Sequence, residues 1–348
     1  MPELREDLTT KDWVVFATER ARRPHDFRRV EPRAAASDHA AECPFCPGNE
    51  SQTPGEIERL RLAGSQPWSV RVVPNRFPAF VPDGDPHRAV HADHFRSMHA
   101  TGAHEVVIET PHHARALPDL SDAEITLVFE AYQRRYGALR HLPGMGVVII
   151  FKNYGEAAGT SLTHPHSQII AAPVETPAVR RKYEVARDHY QEWGTCLYCD
   201  VRDWERAAGD RVIFATQHFI AIHPYASRWP FETWILPLQH TPSFGSATTE
   251  QLAEAALATR RVLRLLRDAL GDPPFNYVVH TAPVGDEERP YFLWHIQIVP
   301  RLTVAAGFEM GSGMYINTAL PEQTAAFLRD ADRDSGGSHS GETRSAPR

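Results

Sequence analysis

Residues Gly155 to Ile170 read Gly-Glu-Ala-Ala-Gly-Thr-Ser-Leu-Thr-His-Pro-His-Ser-Gln-Ile-Ile, and the centre of this stretch, His164-Pro165-His166-Ser167-Gln168, governs how the rest of the chain is read. In an extended segment side chains alternate between faces, so His164, His166 and Gln168 project to one side. Pro165 has no backbone donor, which suits a strand start or an edge. Gly155 and Gly159 allow a ligand close to the backbone, and Thr160, Ser161 and Thr163 add hydroxyls. That mixture fits phosphate better than an apolar cofactor. On these residues alone, the plain alternative is a polar strand end with two surface histidines.

Upstream, Val147 to Phe151 is a strongly apolar strand that delivers the chain to the histidines. Before it, Ser121 with Glu124 three residues on has the form of a capping box, and the apolar positions through Leu139 fit a helix. His104 to Thr110 alternates like a half-buried strand and leads into Pro111-His112-His113. Arg71 to Pro78 reads as a strand ending in a turn, and Cys43-Pro44-Phe45-Cys46 as a knuckle. Nearer the start, Asp12 to Ala17 is a short strand, followed by Glu19-Arg20-Ala21-Arg22-Arg23-Pro24-His25. Such an arginine cluster is usually a solvated face; directly after a strand it is also placed to grip phosphate.

The second half retraces this plan. Cys196-Leu197-Tyr198-Cys199 is a new knuckle, Phe219 to Ile222 and Thr233 to Leu236 are strands, and Pro237-Leu238-Gln239-His240 mirrors Pro111-His112-His113. Thr248 with Gln251 opens a helix through Leu270, and Phe275 to His280 and Leu293 to Pro300 are two further strands. Element order therefore indicates an internal duplication with a period of about 150 residues. The expected division is 1–187 for one half, 188–331 for the other, and 332–348 as a disordered tail, where Gly, Ser and Arg replace any apolar period.

A chain of 348 residues has material for a large buried core, and a net charge of -7 without a basic stripe excludes a nucleic-acid backbone as the main partner. Its opening lacks an apolar signal core and no run reaches membrane-spanning length, so a cytoplasmic protein is expected. All four cysteines fall in two Cys-x-x-Cys pairs. In a reducing compartment these read as metal or redox sites before disulfides. Pro44 and Pro47 disfavour the strand-into-helix setting of a redox pair. Pairing within each half predicts two tetrahedral zinc sites, Cys43, Cys46, His113 and His164 in one, and Cys196, Cys199, His240 and His295 in the other. Four protein ligands leave no open position, so both would be structural. A single four-cysteine ribbon is the rival arrangement.

With Arg20-Ala21-Arg22-Arg23-Pro24, Cys43-x-x-Cys46, Gly159-x-Ser161 and His164-Pro165-His166-x-Gln168 in place, residues 1–325 resemble the galactose-1-phosphate uridylyltransferase family, a branch of the histidine-triad superfamily. The resemblance implies an α+β, duplicated histidine-triad-like fold: two antiparallel half-barrel sheets with flanking helices, usually in a homodimer. It implies that His166 attacks the α-phosphorus of a nucleotide sugar and forms a covalent nucleotidyl-histidine. It further places Arg20, Arg23, Asn75 and Asn153 on the nucleotide, Phe77 beside the base, and Gly159, Ser161 and Gln168 near the phosphates.

The chemistry agrees with this assignment. Free imidazole has a pKa of about 6.5, so it is largely nucleophilic near neutrality. Gln168 cannot give up a proton, although its amide can hydrogen bond to an oxygen. The leaving group must then be good already, as a phosphate with a second pKa near ~6 is. Transfer between phosphates is favoured over hydrolysis. In the second half, His295-Ile296-Gln297 aligns either with His164-Pro165-His166 or, matching Gln297 to Gln168, with the residues after them. Thr303 to Glu309 lacks the lysine that many uridylyltransferases carry before a Gly-aromatic-Glu segment, and with the second Cys-x-x-Cys it also resembles the ADP-glucose phosphorylase-like branch. The leading expectation is UDP-glucose:hexose-1-phosphate uridylyl transfer, with nucleotide-sugar phosphorolysis as alternative. A zinc-stabilised nucleotide-binding module without turnover is the reading from another class.

Overall fold

The computed structural model describes the chain apart from residues 18–23, 28–36, 65–66, 86 and 337–348. The N-terminal part supplies β1 (Glu3–Asp7), β2 (Asp12–Phe16), β3 (Glu58–Leu60), β4 (Val70–Pro74), β5 (Ala89–His91), β6 (Phe95–Ser97) and β7 (Ala103–Ile108). Helix α1 (Asp122–Leu139), β8 (Val147–Tyr154) and β9 (His166–Ala172) follow, then α2 (Pro177–Trp193) and α3 (Leu197–Ala208). The remainder is β10 (Val212–Ala215), β11 (Phe219–Ile222), β12 (Thr233–Pro237), α4 (Thr249–Leu270), β13 (Phe275–His280), β14 (His295–Pro300), α5 (Gly307–Ser312), β15 (Tyr315–Asn317) and α6 (Pro321–Gly336).

Ten strands form one sheet in the order β10-β11-β12-β14-β13-β8-β9-β7-β4-β3. Read inward from either edge, each half runs first, second, third, fifth, fourth strand, so the duplication expected from element order is a pseudo-two-fold of the sheet. The two half-sheets are not separate. They are continuous through the antiparallel pair β8–β13, where Phe151 faces Val278 and Asn153 faces Asn276. Helix α2 spans residue 187, and α6 carries the chain past Asp332, whose carboxylate is held by the Arg261 guanidinium. A smaller sheet, β1-β2-β15, and the β5–β6 hairpin complete the strands.

Period-2 alternation gives the sheet two apolar faces with different jobs. Val72, Val107, Ile150, Ile169, Tyr277 and Ile296 point to the main core, which α1 and α4 close with Ile125, Val128, Phe129, Leu252, Val262 and Leu266. Each fully buried side chain of this size contributes about 1.5–3 kcal/mol. Both helices start at the capping boxes read from the sequence: Ser121 Oγ accepts from Glu124 N and Thr248 Oγ1 from Gln251 N. On the opposite face, Val73, Val106 and Ile108 pack beneath the Cys43 knuckle, and Ile220, Trp234 and Leu236 beneath the Cys196 knuckle. His166 and Gln168 alternate with Ile169 and Ala171 and so emerge on this knuckle-bearing face, away from α1 and α4.

Candidate active site

Strand β8 ends at Tyr154, and the backbone turns at Gly155 (φ 81°) and Gly159 (φ 87°) before β9 begins at His166. A side chain at Gly155 would meet Pro274, with an added Cβ 2.9 Å from the proline Cβ. Both glycines therefore serve a left-handed conformation, and the first also a close approach between the halves. The loop forms one wall of a cleft of ≈ 1460 Å³ whose lining includes Asn153, Ser161, His164 and His166 from the first half and Asp272 and Pro274 from the second.

His166 Nδ1 lies 2.9 Å from the carbonyl oxygen of His164. A carbonyl only accepts, so Nδ1 carries the proton and Nε2 the lone pair. Burial pushes the imidazole pKa down, and the nearby charge of Lys152 pushes the same way. The ring is thus neutral near pH 7. Phe45, from the first knuckle, meets it edge-on at 5.4 Å.

Behind the His166 backbone lies a polar network that sequence reasoning missed. Lys152 Nζ donates to Glu109 Oε2 at 2.6 Å and to the His166 carbonyl at 3.0 Å. Tyr132 OH is 3.2 Å from Glu109 Oε1, 2.7 Å from Ser167 Oγ and 2.5 Å from Tyr277 OH. Strands β8, β9 and β13, helix α1 and the residue that follows β7 all meet at this point. The available signal was a lysine directly after the apolar run Val147 to Phe151 in a chain with only three lysines.

Gln168 Oε1 is 2.7 Å from His104 Nε2 and 3.3 Å from Asn75 Nδ2. His104 Nδ1 accepts from Ala79 N, so its Nε2 donates to Gln168. With the carbonyl end engaged twice, the amide NH2 is the end that Gln168 presents, and it can only donate. His104, read from sequence merely as a strand residue, fixes that orientation. Asn153 Oδ1 accepts from Asn276 Nδ2 at 2.8 Å, a contact that crosses between the halves. Phe77 is 83% exposed, its backbone N–H donating to Asn75 Oδ1. Arg20 and Arg23 lie outside the described residues.

Cys43, Cys46, His113 and His164 come together, with all ligand atoms within 4.8 Å of one another. The Sγ to Nδ1 distances are 3.7 Å for Cys43–His164, 3.6 Å for Cys46–His164 and 3.4 Å for Cys46–His113. A tetrahedral zinc about 2.3 Å from sulfur and 2.0–2.1 Å from nitrogen sets that edge at roughly 3.6 Å. His164 Nε2 donates to the Thr110 carbonyl, leaving the Nδ1 lone pair toward the thiols, as a metal ligand requires. Burial lowers the His164 pKa to about 4, so it stays in the ligating form. These residues fit zinc.

The second group departs from expectation. Cys196, Cys199 and His240 cluster, with Cys199 Sγ 3.3 Å from His240 Nδ1, but His295 is elsewhere. Its Nδ1 is 3.0 Å from the Leu293 carbonyl, and its ring lies against Tyr198 (4.9 Å), Trp234 (5.1 Å) and His280 (4.8 Å). Strand register supplies the reason. Gln168 faces Val106 and Phe151, Gln297 faces Trp234 and Val278, and Phe151 and Val278 face each other across the pseudo-two-fold. Gln297 therefore matches Gln168, His295 matches His166 down to its carbonyl contact, and Leu293 stands where His164 stands. The two cysteine pairs also sit in separate groups, which removes the four-cysteine ribbon.

Among the described residues no helix is long and apolar enough to cross a membrane. The family model for the N-terminal domain of galactose-1-phosphate uridyl transferase matches residues 1–176, and that for its C-terminal domain matches residues 150–333. The chain is 34% identical to ADP-glucose phosphorylase of Arabidopsis thaliana over 94% of this chain and 93% of that one. It is 29% identical to galactose-1-phosphate uridylyltransferase of Thermotoga maritima over 95% and 99%. A solved structure of the Arabidopsis thaliana ADP-glucose phosphorylase with bound ADP-glucose superposes with a TM-score of 0.80 at 31% identity, covering 95% of this chain and 98% of that one. With both domain models matched and near-complete coverage of these relatives, the chain belongs to the galactose-1-phosphate uridyl transferase family.

Proposed function

We propose that this protein transfers a nucleotidyl group from a nucleoside diphosphate sugar to a phosphate-bearing acceptor through a covalent bond to His166 Nε2. In the first step Nε2 attacks the α-phosphorus, the bond to the bridging oxygen breaks, and sugar 1-phosphate leaves with that electron pair. In the second step an acceptor phosphate oxygen attacks the same phosphorus and the histidine leaves. The carrying observation is the fixed tautomer: Nδ1 is tied to the His164 carbonyl, so the lone pair of a neutral ring sits on Nε2 beside the cleft. Gln168, donating only through its amide NH2, would stabilise a non-bridging or leaving oxygen without protonating it. In this reading Arg20, Arg23, Asn75 and Asn153 hold the nucleotide, exposed Phe77 stacks beside the base, and Gly159 and Ser161 approach the phosphates. The two Cys/His groups hold zinc; the protein is cytoplasmic, as its sequence suggests, and a homodimer, as the family resemblance implies.

The reading taken from the sequence is UMP transfer from UDP-glucose to a hexose 1-phosphate. A second, phosphorolysis of ADP-glucose, is favoured by the 34% identity to a protein of that name and by the absence of a lysine in residues 303–309. One experiment tests both. The protein is incubated with UDP-glucose or ADP-glucose labelled in the α-phosphate, quenched, and assayed for acid-labile, base-stable label. Discharge by galactose 1-phosphate, glucose 1-phosphate and inorganic phosphate is then compared. Label and turnover surviving in His166→Ala would overturn the mechanism. Loading only from ADP-glucose with phosphate as best acceptor would replace the uridylyl reading by the phosphorylase, and binding without label would leave a nucleotide-binding module.

A further inference from the structure

The two knuckles are built alike except at one ligand. In the first, the fourth ligand is His164, fully buried, two residues before the strand position of His166. In the second, the equivalent position is Leu293, equally buried and packed with Tyr198, Trp234 and Phe292 in an apolar cluster. A leucine offers no donor atom. His295 is turned away by its carbonyl contact and its stacked neighbours. Asp200, beside Cys199, is held by His189 Nε2 at 2.8 Å and Thr195 Oγ1 at 2.6 Å and stands outside the group. Among the described residues three donors remain: Cys196 at the N-cap of α3, Cys199 in its first turn, and His240. Their surroundings differ from the first group as well, since His240 is exposed and Cys199 partly exposed, whereas Cys43, Cys46 and His164 are buried.

We infer that the second group is an open metal site, in which a thiophilic divalent cation such as zinc is held by Cys196, Cys199 and His240 and keeps one coordination position for an exchangeable water or solute ligand. The inference rests on the reading that this group holds metal at all. A helix N-terminus favours anionic sulfur, the form in which cysteine ligates zinc, and the Cys199–His240 spacing of 3.3 Å is near a tetrahedral edge. A three-ligand ion with solvent access binds small ligands and exchanges; a closed four-ligand ion does neither. The first site is thus inert and the second labile.

Metal content of the purified full-length protein and its release to a chromophoric chelator, with circular dichroism followed in parallel, test this. Two metals per chain are expected, one leaving in a fast phase with the fold retained and the other only on unfolding. Cys199→Ser should abolish the fast phase alone, and Leu293→His, which restores the ligand seen in the first half, should slow it by about tenfold or more. Should Leu293→His not fold, the unmodified protein reloaded with cobalt(II) decides: added imidazole must shift the ligand-field spectrum of one of the two ions. Two ions of equal inertness with no imidazole shift would overturn the open position while leaving the metal reading intact. One metal per chain, unaffected by Cys199→Ser, would overturn both.

Discussion

Replacing Lys152 by methionine should destabilise the protein more than any surface substitution, and the structure sets the scale. The ammonium is 2.6 Å from Glu109 Oε2, and the two side chains are 1% and 0% exposed. Methionine fills nearly the same volume but leaves the Glu109 carboxylate buried without its cation, which typically costs about 3–5 kcal/mol. The lost hydrogen bond to the His166 carbonyl falls on the same strand. Glu109→Gln should cost a similar amount by stranding the ammonium. The double variant Lys152→Met/Glu109→Gln carries no buried charge and should recover much of the loss, giving a coupling of about 2 kcal/mol or more. Urea unfolding followed by tryptophan fluorescence measures all four corners of the cycle. If Lys152→Met costs less than ~1 kcal/mol, or the two losses simply add, the pair does not hold the strand as argued.

The other expectations follow from single contacts. Gly155→Ala should cost about 1 kcal/mol or more, because φ is 81° and the new methyl meets Pro274; nucleotidyl loading should slow with it, and a normal loading rate would refute the loop's role. His104→Leu removes the donor that holds the Gln168 carbonyl, worth about 0.5–1.5 kcal/mol, so single-turnover loading should slow by roughly 2- to 10-fold with the melting temperature little changed. His223 is buried against Thr324, and burial holds its pKa at about 3, below the ordinary 6.5. A depressed histidine binds fewer protons folded than unfolded, so its contribution is complete above pH 6.5 and is lost as pH falls from there toward 3, by up to about 1.4 kcal/mol per pH unit. His223→Gln should flatten the acid limb of the stability curve by one proton, and an unchanged slope would refute this.

What could be read without coordinates was whatever local pattern encodes. Ser121 and Glu124 announce a helix because the cap is a four-residue device, and His164 to Gln168 announce a site because the spacing itself is the motif. Neither Lys152 nor Tyr132 stands out in the sequence, since the partner that gives each its meaning, Glu109, arrives from another element. His104 was hidden for the same reason, its role set by a contact 64 residues away. Register was the deeper obstacle. Two alignments of His295-Ile296-Gln297 differ by two residues and keep every side chain on its face, so alternation cannot choose between them. Only the pairing of β14 with β12 and β13 shows that Leu293, not His295, occupies the position of His164.

That register also recasts the asymmetry between the halves. His295 has the backbone position of His166, the proposed nucleophile, and the same tautomer-fixing contact, Nδ1 on the carbonyl two residues back. The imidazole alone therefore does not distinguish the proposed catalytic half from the other. Access does. His166 lines an open cleft behind a glycine-hinged loop, whereas Tyr198, Trp234 and Phe292 crowd His295 and its Nε2 is buried without a hydrogen-bond partner. An α-phosphorus must reach Nε2 along the line of the breaking bond, and aromatic side chains occupy that approach. Lys182 Nζ, 3.3 Å from His280 Nε2, brings a further cation to the same buried cluster, and the nearby positive charge opposes protonation of His295 as burial does. The second copy thus keeps a neutral, correctly oriented histidine as packing, and the arrangement shows that a competent imidazole without an entry path is a structural residue.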